Sequence, residues 1–131
     1  MTQMKSLVPR FAVTDLSRSL DFYRQVLGLK IDFAWPAEAP TFALLKKGAL
    51  EIGLFVADSQ RPEAKVGTLE LVLECEGVAS VANDLLGKGL RPDWGPEVYS
   101  YGRRECAFAD PDGHLIIFTE ESGDPPTCAQ A

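Results

Sequence analysis

The strongest constraint on this chain is that it states one order of elements twice. After a short apolar segment at 7–13, Leu16, Leu20, Tyr23 and Leu27 recur on one face of a helix over 16–27. Asp15 suits its N-cap, and Gly28 the position just past its last turn. Extended segments follow at 29–33, 41–45 and 50–56, divided by turn signals at 36–40 and 46–48. The second half repeats this order. A strand over 68–74 alternates Leu69, Leu71 and Leu73, and a helix over 78–86 places Val78, Val81, Ala82 and Leu85 on one side. Strands over 90–94, 104–109 and 114–119 complete it. Ser19, Leu20, Gly28 and Leu29 line up at a constant offset with Ser80, Val81, Gly89 and Leu90.

Two βαβββ modules make an α+β chain, each module a curled mixed sheet with its helix on one face. The opposite, concave face needs covering by the other module, a second subunit or a ligand, which is the physical reason to expect a cleft. The organisation predicted is one domain over 1–121, with module one at 6–57, a polar linker at 58–67 and module two at 68–121. The segment 122–131, with Pro125 and Pro126, reads as a disordered tail.

Composition narrows the function classes. The net charge of −6 lacks the basic stripe of a nucleic-acid binder, so no nucleic-acid partner is expected. No apolar run approaches the ~18 residues of a membrane helix, and the N-terminal residues lack a signal-peptide core. Cys75, Cys106 and Cys128 are odd in number and without CxxC spacing, as reduced thiols of a cytoplasmic protein would be. His114 is the single histidine, so a metal site would rest mainly on carboxylates. The run 110–113 fits a type I turn, with Asp first, Pro second and Gly fourth, and His114 is expected to be solvated or bonded to that turn rather than a general base.

The aromatics divide. Phe11, Phe22, Phe55, Phe108 and Phe118 fall at core-facing positions. Phe33, Trp35, Phe42, Trp94, Tyr99 and Tyr101 fall in loops or at strand edges, where they can stack on a flat ligand or line a subunit interface. Phe33 and Trp35 share a face if their strand runs on that far.

The run 11–29, FAVTDLSRSLDFYRQVLGL, resembles the first-module signature of the vicinal oxygen chelate superfamily. That superfamily holds glyoxalase I, extradiol dioxygenases, fosfomycin-resistance enzymes and bleomycin resistance proteins. Tyr101-Gly102-Arg103-Arg104-Glu105 followed by Asp110-Pro111-Asp112-Gly113-His114 is similar to its second-module ending. The resemblance implies four metal-ligand positions, which fall here on Val8, Glu51, Thr68 or Leu69, and Ile117; only Glu51 is a usual ligand. The chain therefore looks closest to the metal-free bleomycin resistance branch, as Val8-Pro9 and Ile31-Asp32-Phe33 also suggest. For that branch the resemblance implies no cofactor and no catalysis. It also implies a homodimer, which can exchange its first strand near Pro9, and aromatic-lined clefts at its interface. The expected ligand is small, cationic or planar, such as a bleomycin-type antibiotic. The ligand-binding residues expected are Arg10, Phe33, Trp35, Phe42, Glu70, Trp94, Tyr99 and Tyr101, where Arg10 and Glu70 have the parity that lines the family's cleft. The alternative is a divergent glyoxalase-type lyase or dioxygenase holding a divalent metal.

Overall fold

The computed structural model describes residues 2–57 and 65–128. The linker expected at 58–67 therefore lies outside the described residues over 58–64. The chain divides into two compact units, Met1–Gly67 and Thr68–Ala131.

Unit 1 runs β1 (Arg10–Val13), α1 (Leu16–Leu27), β2 (Lys30–Trp35), β3 (Phe42–Lys47) and β4 (Leu50–Val56). Its sheet has the order β1-β4-β3-β2, with β1 parallel to β4 and the other pairs antiparallel. Local chemistry sets both ends of α1. Asp15 Oδ1 accepts from the Arg18 amide at 3.1 Å, and Gly28 takes a left-handed φ of 67° that a side chain would resist. Leu16, Ser19 and Tyr23 are the buried positions of α1, while Leu20 and Leu27 are half-buried. The Tyr23 ring meets Phe11 edge-on at 5.7 Å, so α1 covers the sheet face that carries Phe11.

Unit 2 runs β5 (Glu70–Glu74), α2 (Val78–Gly87), β6 (Trp94–Val98), β7 (Arg103–Ala109) and β8 (Leu115–Glu121). Its order, β5-β8-β7-β6 with β5 parallel to β8, repeats the topology of unit 1. The N-cap of α2 is Gly77, which has no side chain to offer. Glu120 of β8 supplies the cap instead: its Oε1 accepts from the Gly77 amide at 2.9 Å and its Oε2 from Val78 at 2.7 Å. These bonds to the charged form hold the Glu120 carboxyl below its usual range.

Two expectations need correction. The strand expected over 90–94 lies instead at Trp94–Val98, because β6 is an edge strand and Pro96 can sit there without breaking a ladder. A Cβ on Gly95 would come within 2.3 Å of the Glu105 carbonyl oxygen, so glycine permits this close approach to β7. The His114 imidazole, expected to be solvated or bonded to the turn, is fully buried and bonds to Leu69, while the bond to the turn comes from the His114 backbone amide. Its amide donates to Asp110 Oδ1 at 2.9 Å, and its Nδ1 accepts from the Leu69 amide at 3.0 Å, which keeps the ring dry and occupied. Within 122–128, the Thr127 amide donates to the Val98 carbonyl at 2.8 Å, and Thr127 Oγ1 accepts from the Val98 amide at 2.8 Å. Positions 129–131 lie outside the described residues.

Phe11, Phe108 and Phe118 are buried as expected, whereas Phe22 and Phe55 are half-buried.

Candidate functional site

Each sheet turns one face to its helix and the other away from it, and strand register decides which residues share the second face. In unit 1, Arg10 pairs with Gly53, Gly53 with Leu44, and Leu44 with Phe33, while Phe55 pairs with Phe42 and Phe42 with Trp35. Arg10, Phe33, Trp35 and Phe42 therefore come together on the face away from α1. The strand does run on to Trp35. A register shift between Ile31 and Phe33 leaves Ile31 opposite Leu45 and puts Phe33 opposite Leu44, on the other face. The Arg10 guanidinium lies 4.9 Å from the centroid of the Phe42 ring, and Phe33 meets that ring edge-on at 6.3 Å. Phe33 is 47% exposed and Trp35 61%.

In unit 2, Glu70 pairs with Leu115, Glu74 with Thr119, Thr119 with Glu105, and Glu105 with Glu97. Three glutamates thus lie in a row across the sheet, and each has a partner. Arg103 Nη2 donates to Glu74 Oε1 at 2.8 Å and Arg103 Nε to Thr119 Oγ1 at 3.0 Å. The Thr119 hydroxyl donates to Glu105 Oε2 at 2.6 Å, and the Tyr101 hydroxyl to Glu105 Oε1 at 2.6 Å. The Thr127 hydroxyl donates to Glu97.

The aromatic part of this face is layered. Tyr99 is nearly buried and stacks on Tyr101 at 5.6 Å and 7°, while Trp94 meets Tyr99 edge-on at 5.8 Å. Tyr101 is 55% exposed, so its outer side is open for a further planar group. The bond to Glu105, aided by burial, pushes the Tyr101 phenol up to about 12, and burial raises Tyr99 as well. Tyr101 therefore stays a neutral hydrogen-bond donor through the physiological range. An open depression of about 530 Å³ beside it is lined by Tyr101, Gly102, Arg103, Glu121, Ser122 and Gly123.

The eight candidate residues thus divide evenly: Arg10, Phe33, Trp35 and Phe42 in unit 1, and Glu70, Trp94, Tyr99 and Tyr101 in unit 2. Sequence reasoning missed Gly53, Glu74, Arg103 and Thr119 as members of these faces. For Arg103 the signal was available, since it stands two residues from Glu105 in one strand and so shares its face.

The implied metal positions do not fit a metal. Val8 precedes β1, Ile117 is a buried alkyl chain, Thr68 and Leu69 precede β5, and Glu51 pairs across the sheet with Lys46. One carboxylate among four positions cannot hold a transition ion against water. Among the described residues no group of three or more His, Cys, Asp or Glu side chains could hold a metal ion. His114 Nδ1 is already occupied by the Leu69 amide. Burial pushes the Cys106 thiol up to about 11 and raises Cys75, so neither is disposed to act as a thiolate.

The family model described as Glyoxalase/Bleomycin resistance protein/Dioxygenase superfamily matches residues 6–118. No curated protein matches the sequence. Among solved structures, TnmS3, an antibiotic binding protein from Streptomyces sp. CB03234, is 24% identical with a TM-score of 0.75, over 93% of this chain and 99% of that one. TioX from Micromonospora sp. ML1 is 20% identical with a TM-score of 0.75, over 90% and 99%. A virulence protein from Salmonella typhimurium is 24% identical with a TM-score of 0.71, over 92% and 99%. At this identity the likeness shows a common fold.

Proposed function

The chain belongs to the glyoxalase/bleomycin resistance protein/dioxygenase superfamily, and from that membership we propose that it is a metal-free binding protein. It captures a small planar or cationic molecule, such as a bleomycin-type antibiotic, and acts by withholding it from its target. The observation that carries this is the open side of Tyr101, backed by Tyr99 and set beside a row of glutamates. Stacking supplies affinity for a flat ring. The carboxylates and the chain's net charge of −6 favour a cationic group and speed its capture. TnmS3, which shares the fold, is an antibiotic binding protein, and this adds support. The family ligand positions offer one carboxylate, which weighs against the lyase or dioxygenase alternative.

We further propose that the two units work as one domain over 1–121, that two chains pair with ligand sites at their interface, and that the protein is cytoplasmic. No helix among the described residues is long and apolar enough to cross a membrane.

The test is calorimetric titration of wild type and Tyr101→Ala with bleomycin and with the flat cation proflavine, alongside elemental analysis of protein purified without chelator. We expect no stoichiometric metal, saturable binding of at least one probe, and a Kd raised about three- to tenfold in a variant that stays folded, its melting temperature lowered by a few degrees through loss of the Tyr101–Glu105 bond. Tight stoichiometric metal would return the protein to the lyase or dioxygenase class. Binding indifferent to Tyr101→Ala would move the ligand off this face.

A further inference from the structure

We propose that the Arg10–Phe42–Phe33 face of unit 1 is a subsite for a planar aromatic anion, a ring that carries a carboxylate or an equivalent anionic oxygen. This rests on the binding function proposed above and specifies a second ligand chemistry, opposite in sign to that of the glutamate row in unit 2.

Arg10 is held in place by the sheet beneath it. Gly53 is its register partner in β4, and a Cβ there would lie 2.9 Å from Arg10 Cγ and 3.6 Å from its Cδ. A glycine inside a strand weakens the strand and is used where something must approach closely. Here the thing that approaches is the aliphatic stem of Arg10, which lies over the bare backbone of Gly53 and delivers its guanidinium onto the Phe42 ring at 4.9 Å. A guanidinium seated on an aromatic ring keeps a planar fork of N–H donors, the arrangement that matches two oxygens of one anion.

Within unit 1 no described carboxylate forms an ion pair with Arg10, although acidic groups serve Lys46 on the same sheet: Asp32 stands 4.0 Å from its Nζ, and Glu51 is its register partner. In a chain of net charge −6, a positioned arginine with no ion pair among the described residues of its unit suits an anion specifically and is not part of a general basic surface. The half-exposed Phe33 and the more exposed Trp35, on the same face, supply the apolar contact that an aromatic ring needs.

The experiment compares three probes of one shape and different charge, 2-naphthoate, 2-naphthamide and 2-naphthylmethylammonium, by calorimetry on wild type, Arg10→Met and Gly53→Ala. Arg10→Met keeps an unbranched chain over Gly53 and removes only the charge. Gly53→Ala keeps the charge and displaces the stem. We expect wild type to prefer naphthoate to naphthamide by roughly tenfold to a hundredfold. That preference should vanish in Arg10→Met, with naphthamide affinity unchanged, and should fall in Gly53→Ala. Equal binding of naphthoate and naphthamide by wild type, or a preference that survives Arg10→Met, would overturn the subsite. If the ammonium probe still binds, and loses affinity on Tyr101→Ala, the general binding function stands while this inference fails. If no probe of any charge binds while bleomycin or proflavine does, this inference fails and the general binding function stands; if none of the five binds, both fail.

Discussion

Replacing Glu120 with alanine removes the cap of α2 without touching either aromatic face. Gly77 offers no side chain, and the first helical turn holds no acidic residue, so the Glu120 carboxylate is what meets the Gly77 and Val78 amides. Loss of a helix cap costs about 1 kcal/mol, and an anion at a helix N-terminus adds roughly 0.3–1 kcal/mol more. Because both bonds are charge-assisted and the side chain is only 20% exposed, the upper part of these ranges applies, about 2 kcal/mol in total. With an unfolding entropy of roughly 2.1 cal/mol/K per residue, 131 residues convert that into a fall in melting temperature of about 7 °C. Glu120→Gln keeps one acceptor oxygen and no charge, so its loss should be about half as large. The pH dependence follows from the depressed carboxyl. A group whose folded pKa lies below its unfolded value stabilises fully above the unfolded value, about 4.3, and the stabilisation is lost as pH falls through the folded value. Differential scanning calorimetry of the three proteins at pH 7 and at several values below 5 is the assay. The gap between wild type and Glu120→Ala should be flat at neutral pH and close in acid. A gap under about 2 °C at pH 7, or one that persists unchanged in acid, would refute the account of the cap.

Two further outcomes are expected. Ser19 is fully buried in α1, and its hydroxyl has no hydrogen-bond partner among the described residues, so Ser19→Ala should raise the melting temperature by a few degrees, about 1 kcal/mol, as read by calorimetry. Alkaline titration of tyrosinate absorbance should show a late transition near 12 that Tyr101→Phe abolishes. The raised phenol stabilises the fold below its unfolded pKa of about 10, and that contribution is lost as pH rises toward 12.

The legible parts of the fold were those decided by near neighbours in sequence. Asp15 and Gly28 lie at the ends of α1 because a cap is a contact within a few residues, and the repeated βαβββ order followed from periodicity alone. The edge strand β6 was placed too early in the chain, short of Gly95 and Pro96, two residue types that strands ordinarily avoid. Whether a proline interrupts a ladder depends on which side of the strand has a neighbour. The aromatic candidates were legible as residue types, and alternation correctly paired Phe33 with Trp35 on one face.

The layering of Tyr99 behind Tyr101 was not visible, since both are tyrosines two residues apart and only the packed sheet says which one is covered. The hydrogen bonds from Gly77 and Val78 to Glu120 join residues far apart in the chain, and so does the berth that Gly53 makes for Arg10. The sequence by itself determined the order of elements and the local caps of α1, because each depends on residue type and short spacing. Which carboxylate caps a helix, which ring the Arg10 guanidinium meets and which tyrosine faces outward were decided by the tertiary structure, because strand pairing sets those distances and any pairing of distant strands is compatible with the same local pattern.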